Sequence, residues 1–130
     1  MTIRILVAED DPTIRHLMVT ILQRQGISCA FVEDGLRAVE AWEQEHFDFI
    51  IMDVQMPIMD GLNATRIIRG KEGARGGHTT IIATTAFAMD GDREMCQNAG
   101  MDEYLSKPLD LEELLGLIEK HMRQNPNDLP

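Results

Sequence analysis

Two kinds of apolar pattern alternate along the chain. One kind is short, nearly continuous and rich in β-branched residues, which is typical of a strand buried on both faces of a sheet. Residues 3–8 (IRILVA) are the clearest example. This pattern predicts strands at residues 3–8, 27–32, 47–52, 80–85 and 101–106.

The other kind spaces its apolar residues three or four positions apart, as the buried face of an amphipathic helix does. Asp11 and Pro12 are typical of the N-cap and first position of such a helix, and Gly26 is typical of its end. Residues 71–78 are rich in glycine and predict a polar loop. Helices are expected from Pro12 to Gly26, from Gly35 through Trp42, and at 62–69, 90–99 and 111–122.

The order of these elements predicts the fold class. Strict alternation of strand and helix, five times over, indicates a parallel sheet with helices on both faces. Right-handed crossovers then favour a flavodoxin-like, doubly wound (βα)5 domain with strand order 2-1-3-4-5. We assign residues 1–123 to this domain and residues 124–130 to a polar tail or the start of a linker.

Composition excludes several classes of function. The chain has 12 Lys and Arg against 22 Asp and Glu, a net charge of −10, so we expect no direct binding of nucleic acid. No apolar run approaches the ~20 residues of a membrane span, and the N-terminus lacks the pattern of a signal peptide. Two cysteines are too few for a disulfide scaffold, which favours a cytoplasmic location.

Polar residues stand where the predicted strands end. Glu9 and Asp10 follow the first strand, Asp53 the third, Thr85 closes the fourth and Lys107 follows the fifth. Ligands of such sheets bind at these carboxyl ends, at the switch point between strands 1 and 3. Clustered carboxylates repel one another unless a cation lies between them, and oxygen ligands of this kind suit Mg²⁺. Acids, Mg²⁺, a lysine and a hydroxyl together are suited to hold a phosphoryl group.

Each of these residues also has a plainer explanation. The acidic run Glu9-Asp10-Asp11 can simply complement a helix macrodipole, and Asp53 can be an ordinary turn residue. Thr85 suits any strand, and Lys107 is one lysine among others on a surface. It is their coincidence at one rim of the sheet that favours a functional site.

Four segments, in this order, resemble the receiver (response-regulator) domain of two-component signalling. They are ILVAEDD at 5–11, MDVQMPIMDG at 52–61, ATTA at 83–86 and YLSKP at 104–108. Each segment alone is a weak signal, but the combination is highly specific. The resemblance covers about residues 3 to 122.

The resemblance implies a role for each site residue. Asp53 would accept a phosphoryl group from a histidine of a partner. Glu9 and Asp10 would form the acidic pair that holds Mg²⁺, with Asp53 and the backbone carbonyl of Gln55 as further ligands. Lys107 would contact the phosphoryl oxygens.

The same resemblance implies a conformational switch. Thr85 would hydrogen-bond the phosphoryl group, and Tyr104 would change rotamer with it. Pro57 and Gly61 would shape the loop after Asp53. Phe87 is expected either to shield the phosphoryl group from water or simply to pack in its loop. The face formed by helix 4, strand 5 and helix 5 would then shift between two states.

The segments from 52 to 61 and from 86 to 108 look most like the receivers of hybrid sensor histidine kinases. The expected partner is a histidine kinase or a histidine phosphotransfer domain, and the parent chain would then be a transferase that can be membrane-anchored. A stand-alone response regulator is the alternative. A homodimer through the last helix is compatible with either. The domain's own chemistry would be limited to self-phosphorylation and autodephosphorylation.

Two functions from other classes fit less well. A Mg²⁺-dependent phosphatase with an aspartyl nucleophile usually has a second carboxylate two residues later, where this chain has Gln55. An FMN carrier of flavodoxin type should have a Ser-, Thr- and Gly-rich loop after strand 1, where this chain has Glu9-Asp10-Asp11. Those carboxylates would repel a phosphate without a cation.

Overall fold

The computed structural model describes residues 3–86 and 90–124. It has one parallel sheet of five strands in the order β2-β1-β3-β4-β5, which confirms the predicted topology. The strands are β1 (Arg4–Ala8), β2 (Ser28–Val32), β3 (Phe49–Asp53), β4 (Thr80–Thr85) and β5 (Glu103–Ser106). The helices are α1 (Pro12–Arg24), α2 (Gly35–Gln44), α3 (Gly61–Arg75), α4 (Asp90–Ala99) and α5 (Leu111–Gln124).

Strand residues alternate between two apolar cores. Leu6 and Ile50 face a core closed by α2, α3 and α4, which includes Trp42. Their neighbours Ile5 and Ile51 face a second core closed by α1 and α5. Because both faces of the sheet are covered, the strands read as continuous apolar runs rather than as alternating ones.

Strand register brings the carboxyl ends to one edge. Ala8 of β1 lies opposite Met52 of β3, and Asp53 lies opposite Thr84 of β4. Thr85 lies opposite Ser106 of β5. The residues that follow β1, β3 and β5 therefore meet in one place.

Aspartate side chains cap several of the helices. Asp11 accepts the backbone N–H groups of Thr13 and Ile14 and so caps α1, as predicted. Asp34 and Asp60 cap α2 and α3 in the same way. Each cap satisfies backbone donors that the first turn of a helix leaves unpaired.

Among the helices that the structure describes, none has the length and apolarity to cross a bilayer.

The third helix is longer than the sequence predicts. We expected a helix at 62–69 and a loop at 71–78, but α3 continues to Arg75. Interior glycines cost a helix about 1 kcal/mol each, and this cost favoured the loop. Tertiary contacts offset it, because the Arg75 guanidinium lies 4.4 Å from the centre of the Trp42 ring and donates to the Trp42 carbonyl. The prediction of a loop from residue 71 was therefore wrong as far as Arg75.

A half-buried arginine ties α3 to the residues that precede β4 and β5. Arg69 donates to the carbonyl oxygens of Thr79 and Gly100, each at 2.8 Å. It also pairs with the carboxylates of Glu72 at 2.7 Å and Asp102 at 2.6 Å. Both carboxylates in turn accept backbone N–H groups where β4 begins. One guanidinium thus neutralises two acids and fixes the turn that leads into β5.

Candidate functional site

An acidic cleft of about 520 Å³ opens at the carboxyl edge of the sheet. It lies where the sequence analysis expects a site, beside β1 and β3. Most of the predicted site residues line it. They are Glu9, Asp10, Asp53, Gln55, Thr85 and Lys107.

Lys107 lies between two buried carboxylates. Its Nζ is 2.9 Å from Asp53 Oδ2 and 2.7 Å from Glu9 Oε1. Burial alone would lower the pKa of Lys107, but the hydrogen bonds and charges of Glu9 and Asp53 outweigh it, so the pKa is raised. The ammonium is therefore held charged beside the carboxylates, where it can also meet an incoming anion.

Glu9, Asp10 and Asp53 form a set of oxygen ligands. One carboxylate oxygen from each lies within 4.8 Å of the others. Burial and the neighbouring Glu9 raise the pKa of Asp10, so the site disfavours its own negative charge. Glu9 Oε1 is buried and meets Lys107 Nζ in an ion pair at 2.7 Å. Hard oxygen donors with excess negative charge are what Mg²⁺ requires, so these residues fit the ion.

The loop between β1 and α1 is held by its backbone. The N–H of Glu9 donates to Val32 at 3.1 Å, and the Asp11 N–H donates to Glu9 Oε2 at 3.1 Å. Arg15 Nη1 donates to the Glu9 carbonyl, also at 3.1 Å. Arg15 was not among the residues expected at the site, although its position four residues after the N-cap Asp11 places it one helical turn away. These contacts fix the direction in which Glu9 enters the cleft.

The predicted acceptor, Asp53, is the last residue of β3, and the loop to α3 follows it. The Gln55 N–H donates to Asp53 Oδ1 at 3.1 Å, which leaves Oδ2 to Lys107. The Val54 N–H donates to Thr84 at 2.9 Å and so extends the pairing with β4. Both carboxylate oxygens of Asp53 therefore accept a hydrogen bond. The role of the Gln55 carbonyl as a metal ligand stays a prediction.

The two predicted switch residues occupy different places. Thr85 is buried at the end of β4, lines the cleft, and accepts the N–H of Lys107 at its carbonyl. Tyr104 lies outside the cleft, against α4, with the Arg93 guanidinium 5.4 Å from its ring centre. Burial, and then the charge of Asp92, raise the pKa of Tyr104. The predicted role of Phe87 falls outside the described residues.

Fold and cleft together define a class of protein. It is a doubly wound α/β domain that presents clustered carboxylates and a lysine at its topological switch point. Such a site has the charges needed to hold a divalent cation and a phosphoryl group side by side.

Comparison with known proteins names the family. Residues 5–119 match the model of the response regulator receiver domain, and the chain belongs to this family. Hybrid signal transduction histidine kinase G of Dictyostelium discoideum is 41% identical over 121 residues, which cover 92% of this chain. The chain spans only 4% of that kinase's length. The response regulator DivK of Brucella ovis is 31% identical, with 94% of this chain and 98% of DivK covered.

Solved structures agree with the fold. The receiver domain of a sensor histidine kinase from Pseudomonas aeruginosa, with magnesium coordinated in its active site cleft, is 39% identical. It superposes with a TM-score of 0.83, covering 92% of this chain and 97% of that one. The Saccharomyces cerevisiae Ssk1 receiver, crystallised with the phosphotransfer protein Ypd1, is 27% identical, with a TM-score of 0.87 and coverage of 94% and 91%.

Proposed function

We propose that this domain takes a phosphoryl group from a phosphohistidine onto Asp53, with Mg²⁺ bound by Glu9, Asp10, Asp53 and the Gln55 carbonyl. The observation that carries the proposal is the position of Asp53, whose Oδ2 lies 2.9 Å from Lys107 in a cleft with two further carboxylates. A magnesium ion in the cleft of the Pseudomonas aeruginosa receiver supports it.

The proposed step forms one bond and breaks another. An oxygen of the Asp53 carboxylate attacks phosphorus, and the bond from phosphorus to the partner's imidazole nitrogen breaks. The electron pair stays on that nitrogen, which takes a proton from solvent. Lys107 attracts the phosphoryl oxygens, and the Gln55 N–H orients Asp53. Bound Mg²⁺ would offset the charge on the transferred oxygens.

An apolar groove beside the cleft is evidence for a partner that docks through a helix. It has a volume of about 430 Å³, lies between α1 and the segment after Lys107, and reaches the cleft at Ala86. Leu17 of α1 is 57% exposed in it, although its spacing would suit a core position. Such a groove fits the apolar face of a helix that carries the donor histidine. The groove residues are Ile14, Leu17, Met18, Ile21, Pro108, Leu109, Leu111 and Leu114.

The larger setting is part of the proposal. Two hybrid kinases match this chain at 41% and 37% identity, and the matched segment is a small part of their length. We therefore place the domain in a hybrid sensor kinase or phosphorelay. The stand-alone alternative is favoured by DivK, almost all of which this chain covers. In both settings the partner is a histidine kinase or a histidine phosphotransfer domain.

Phosphorylation of the purified domain tests the acceptor. With acetyl phosphate and Mg²⁺, we expect a gain of one phosphoryl group by intact mass, and none when Mg²⁺ is chelated. Asp53→Asn should abolish the gain, because the amide cannot attack phosphorus. Asp60→Asn is the matched control in the same loop, since asparagine still caps α3. An adduct on Asp53→Asn would contradict the assignment. A wild type without an adduct that also fails to bind beryllofluoride would overturn the proposal.

We further propose that phosphorylation shifts the face formed by α4, β5 and α5. The three phosphoryl oxygens would draw the Thr85 hydroxyl towards Asp53. Tyr104, two residues before the partner of Thr85 in the sheet, would then turn inward. To change the ratio of the shifted to the unshifted conformation of this face from 1:99 to 99:1, phosphorylation must stabilise the shifted conformation by about 5.5 kcal/mol more than the other.

Ring resonances of Tyr104 test the switch. In the wild type with beryllofluoride and Mg²⁺, we expect these NMR signals to move to a second position. Thr85→Ala should still bind beryllofluoride but lose most of that shift, because the hydroxyl is absent. Thr80→Ala, at the other end of β4, should behave like the wild type. A full shift in Thr85→Ala, or any shift in Asp53→Asn, would rule out the proposed coupling.

A further inference from the structure

The start of α2 touches the loop that carries the acceptor. The Gly35 N–H donates to the Met59 carbonyl at 2.9 Å. A Cβ placed on Gly35 would lie 2.3 Å from the Met59 oxygen and 2.9 Å from the Asp60 oxygen. Both are backbone atoms, and real Cβ atoms do not approach others so closely, so any side chain here would displace the loop.

This requirement differs from the usual reasons for a glycine. Gly35 has no left-handed backbone, whereas Gly26, which ends α1, has a φ of 77°. Gly70 and Gly116, inside helices, have open space where a Cβ would stand. Gly61, which directly follows this loop, resembles Gly35, because its Cβ would lie 2.2 Å from the backbone carbonyl oxygen of Asp53, where the loop begins. The loop is therefore closely packed at both of its ends.

The loop between them holds an unfavourable conformation. Ile58 has a φ of 71°, which is an outlier for a β-branched residue, and its side chain is 80% exposed. The Met59 N–H donates back to the Pro57 carbonyl at 2.7 Å, which closes a three-residue turn. A left-handed residue of this kind costs about 1–3 kcal/mol and persists only where its surroundings determine it. The hydrogen bond from the Gly35 N–H to the Met59 carbonyl is one of the contacts that hold Ile58 in this conformation.

The same loop orients the cleft. The Gln55 N–H contacts Asp53 Oδ1, and the Gly61 N–H donates to the Val54 carbonyl at 3.0 Å. A displacement at Met59 would pass through Asp60 to Gly61, whose N–H holds the Val54 carbonyl between Asp53 and Gln55. Contacts that support metal ligands in this way typically contribute a factor of about 10–100 to metal affinity.

We infer that Gly35 is a positioning residue for the Mg²⁺ site, acting through the backbone of the loop from Val54 to Asp60. The inference rests on the proposed function, since it takes Asp53 and the Gln55 carbonyl as ligands. From the sequence, Gly35 was expected only to begin the helix that runs through Trp42, and its contact with Met59 adds a role that the sequence did not indicate.

Calorimetric titration of Mg²⁺ tests this inference at a temperature where each variant is folded. We expect Gly35→Ala to raise the Kd for Mg²⁺ about 10-fold and to slow labelling by acetyl phosphate. Gly116→Ala is the matched control, because the same methyl group enters open space, and its Kd should equal that of the wild type. A purely structural role would lower the melting temperature of Gly35→Ala without changing its Kd.

The outcomes separate the two proposals. If the wild type binds Mg²⁺ and Gly35→Ala binds it equally well, the inference about Gly35 is wrong and the proposed function stands. If the wild type binds no Mg²⁺ at all, the proposed magnesium site is wrong and this inference falls with it.

Amide exchange in the wild type provides a second measurement, which also covers a variant that does not fold. Coupling is reciprocal, so Mg²⁺ should slow hydrogen exchange at the Gly35 N–H if this group supports the metal site. Exchange at Gly116 should slow less, because Mg²⁺ affects it only through the overall stability of the fold. Equal Gly35 exchange with and without saturating Mg²⁺ would overturn the inference independently of any substitution.

Discussion

Lys107→Ala is expected to lower the free energy of unfolding by about 3 kcal/mol in the absence of divalent cations, because it leaves buried carboxylates without their counter-charge. Glu9 is 1% exposed and Asp53 4% exposed with Lys107 in place, so both carboxylates depend on the ammonium as their nearest positive charge. Saturating Mg²⁺ should restore part of the loss, since the ion supplies positive charge to the same oxygens. Urea unfolding with and without Mg²⁺ measures both effects.

The pH dependence of this loss has a definite sign. The pKa of Lys107 is raised in the folded protein, against the effect of burial, by Glu9 and Asp53. Its contribution is therefore complete below the pKa of an unfolded lysine and is lost as pH rises through the higher folded value. We expect the difference between wild type and Lys107→Ala to persist at pH 9 and to shrink in stronger base.

Lys120→Ala is the control for a lysine in an ion pair. Lys120 lies 2.8 Å from Glu103, but its side chain is 52% exposed, so the variant should lose no more than about 1 kcal/mol relative to the wild type, a difference that Mg²⁺ does not change. If Lys107→Ala is as stable as Lys120→Ala, the ion pairs in the cleft do not stabilise the fold.

Arg69→Ala should have a comparable effect far from the cleft. We expect a loss of about 3 kcal/mol, because the buried Glu72 and the half-buried Asp102 would lose the guanidinium between them. Two carbonyl oxygens, of Thr79 and Gly100, also lose a donor. For a domain of this size the melting temperature should fall by about 10 °C, as scanning calorimetry would record.

Arg66→Ala provides the comparison within the same helix. Arg66 is exposed and donates to Asn63, so its removal should change stability by less than about 0.5 kcal/mol. Mg²⁺ should not rescue Arg69→Ala, in contrast to Lys107→Ala, because its carboxylates lie outside the cleft. Equal stability of the two arginine variants would mean that the network around Arg69 is not a structural tie.

Periodicity explains why the fold was predictable. Each buried strand and each amphipathic helix carries its own pattern of apolar residues, and alternation with right-handed crossovers leaves few topologies. Caps such as Asp11 are equally local, since they act on the next turn of the chain. The predicted gathering of Glu9, Asp10 and Asp53 followed from topology alone, because parallel strands end at one edge.

The length of α3 was not predictable in this way. Its propensity is poor at Gly70 and Gly73, and local signals therefore ended it too early. What extends it is contact with residues distant in sequence, such as Arg75 with Trp42. Propensity is a weak preference that tertiary packing overrides when a well-placed side chain is available.

By itself the sequence determined the order of strands and helices, the doubly wound topology and the set of polar residues at the carboxyl edge. Only the tertiary structure decided which of these residues touch, as Lys107 does with Glu9 and Asp53, and that Tyr104 lies apart from the cleft. Local patterns report whether a position is buried. Contact between residues many positions apart depends on how complete elements pack, as the approach of Gly35 to Met59 illustrates.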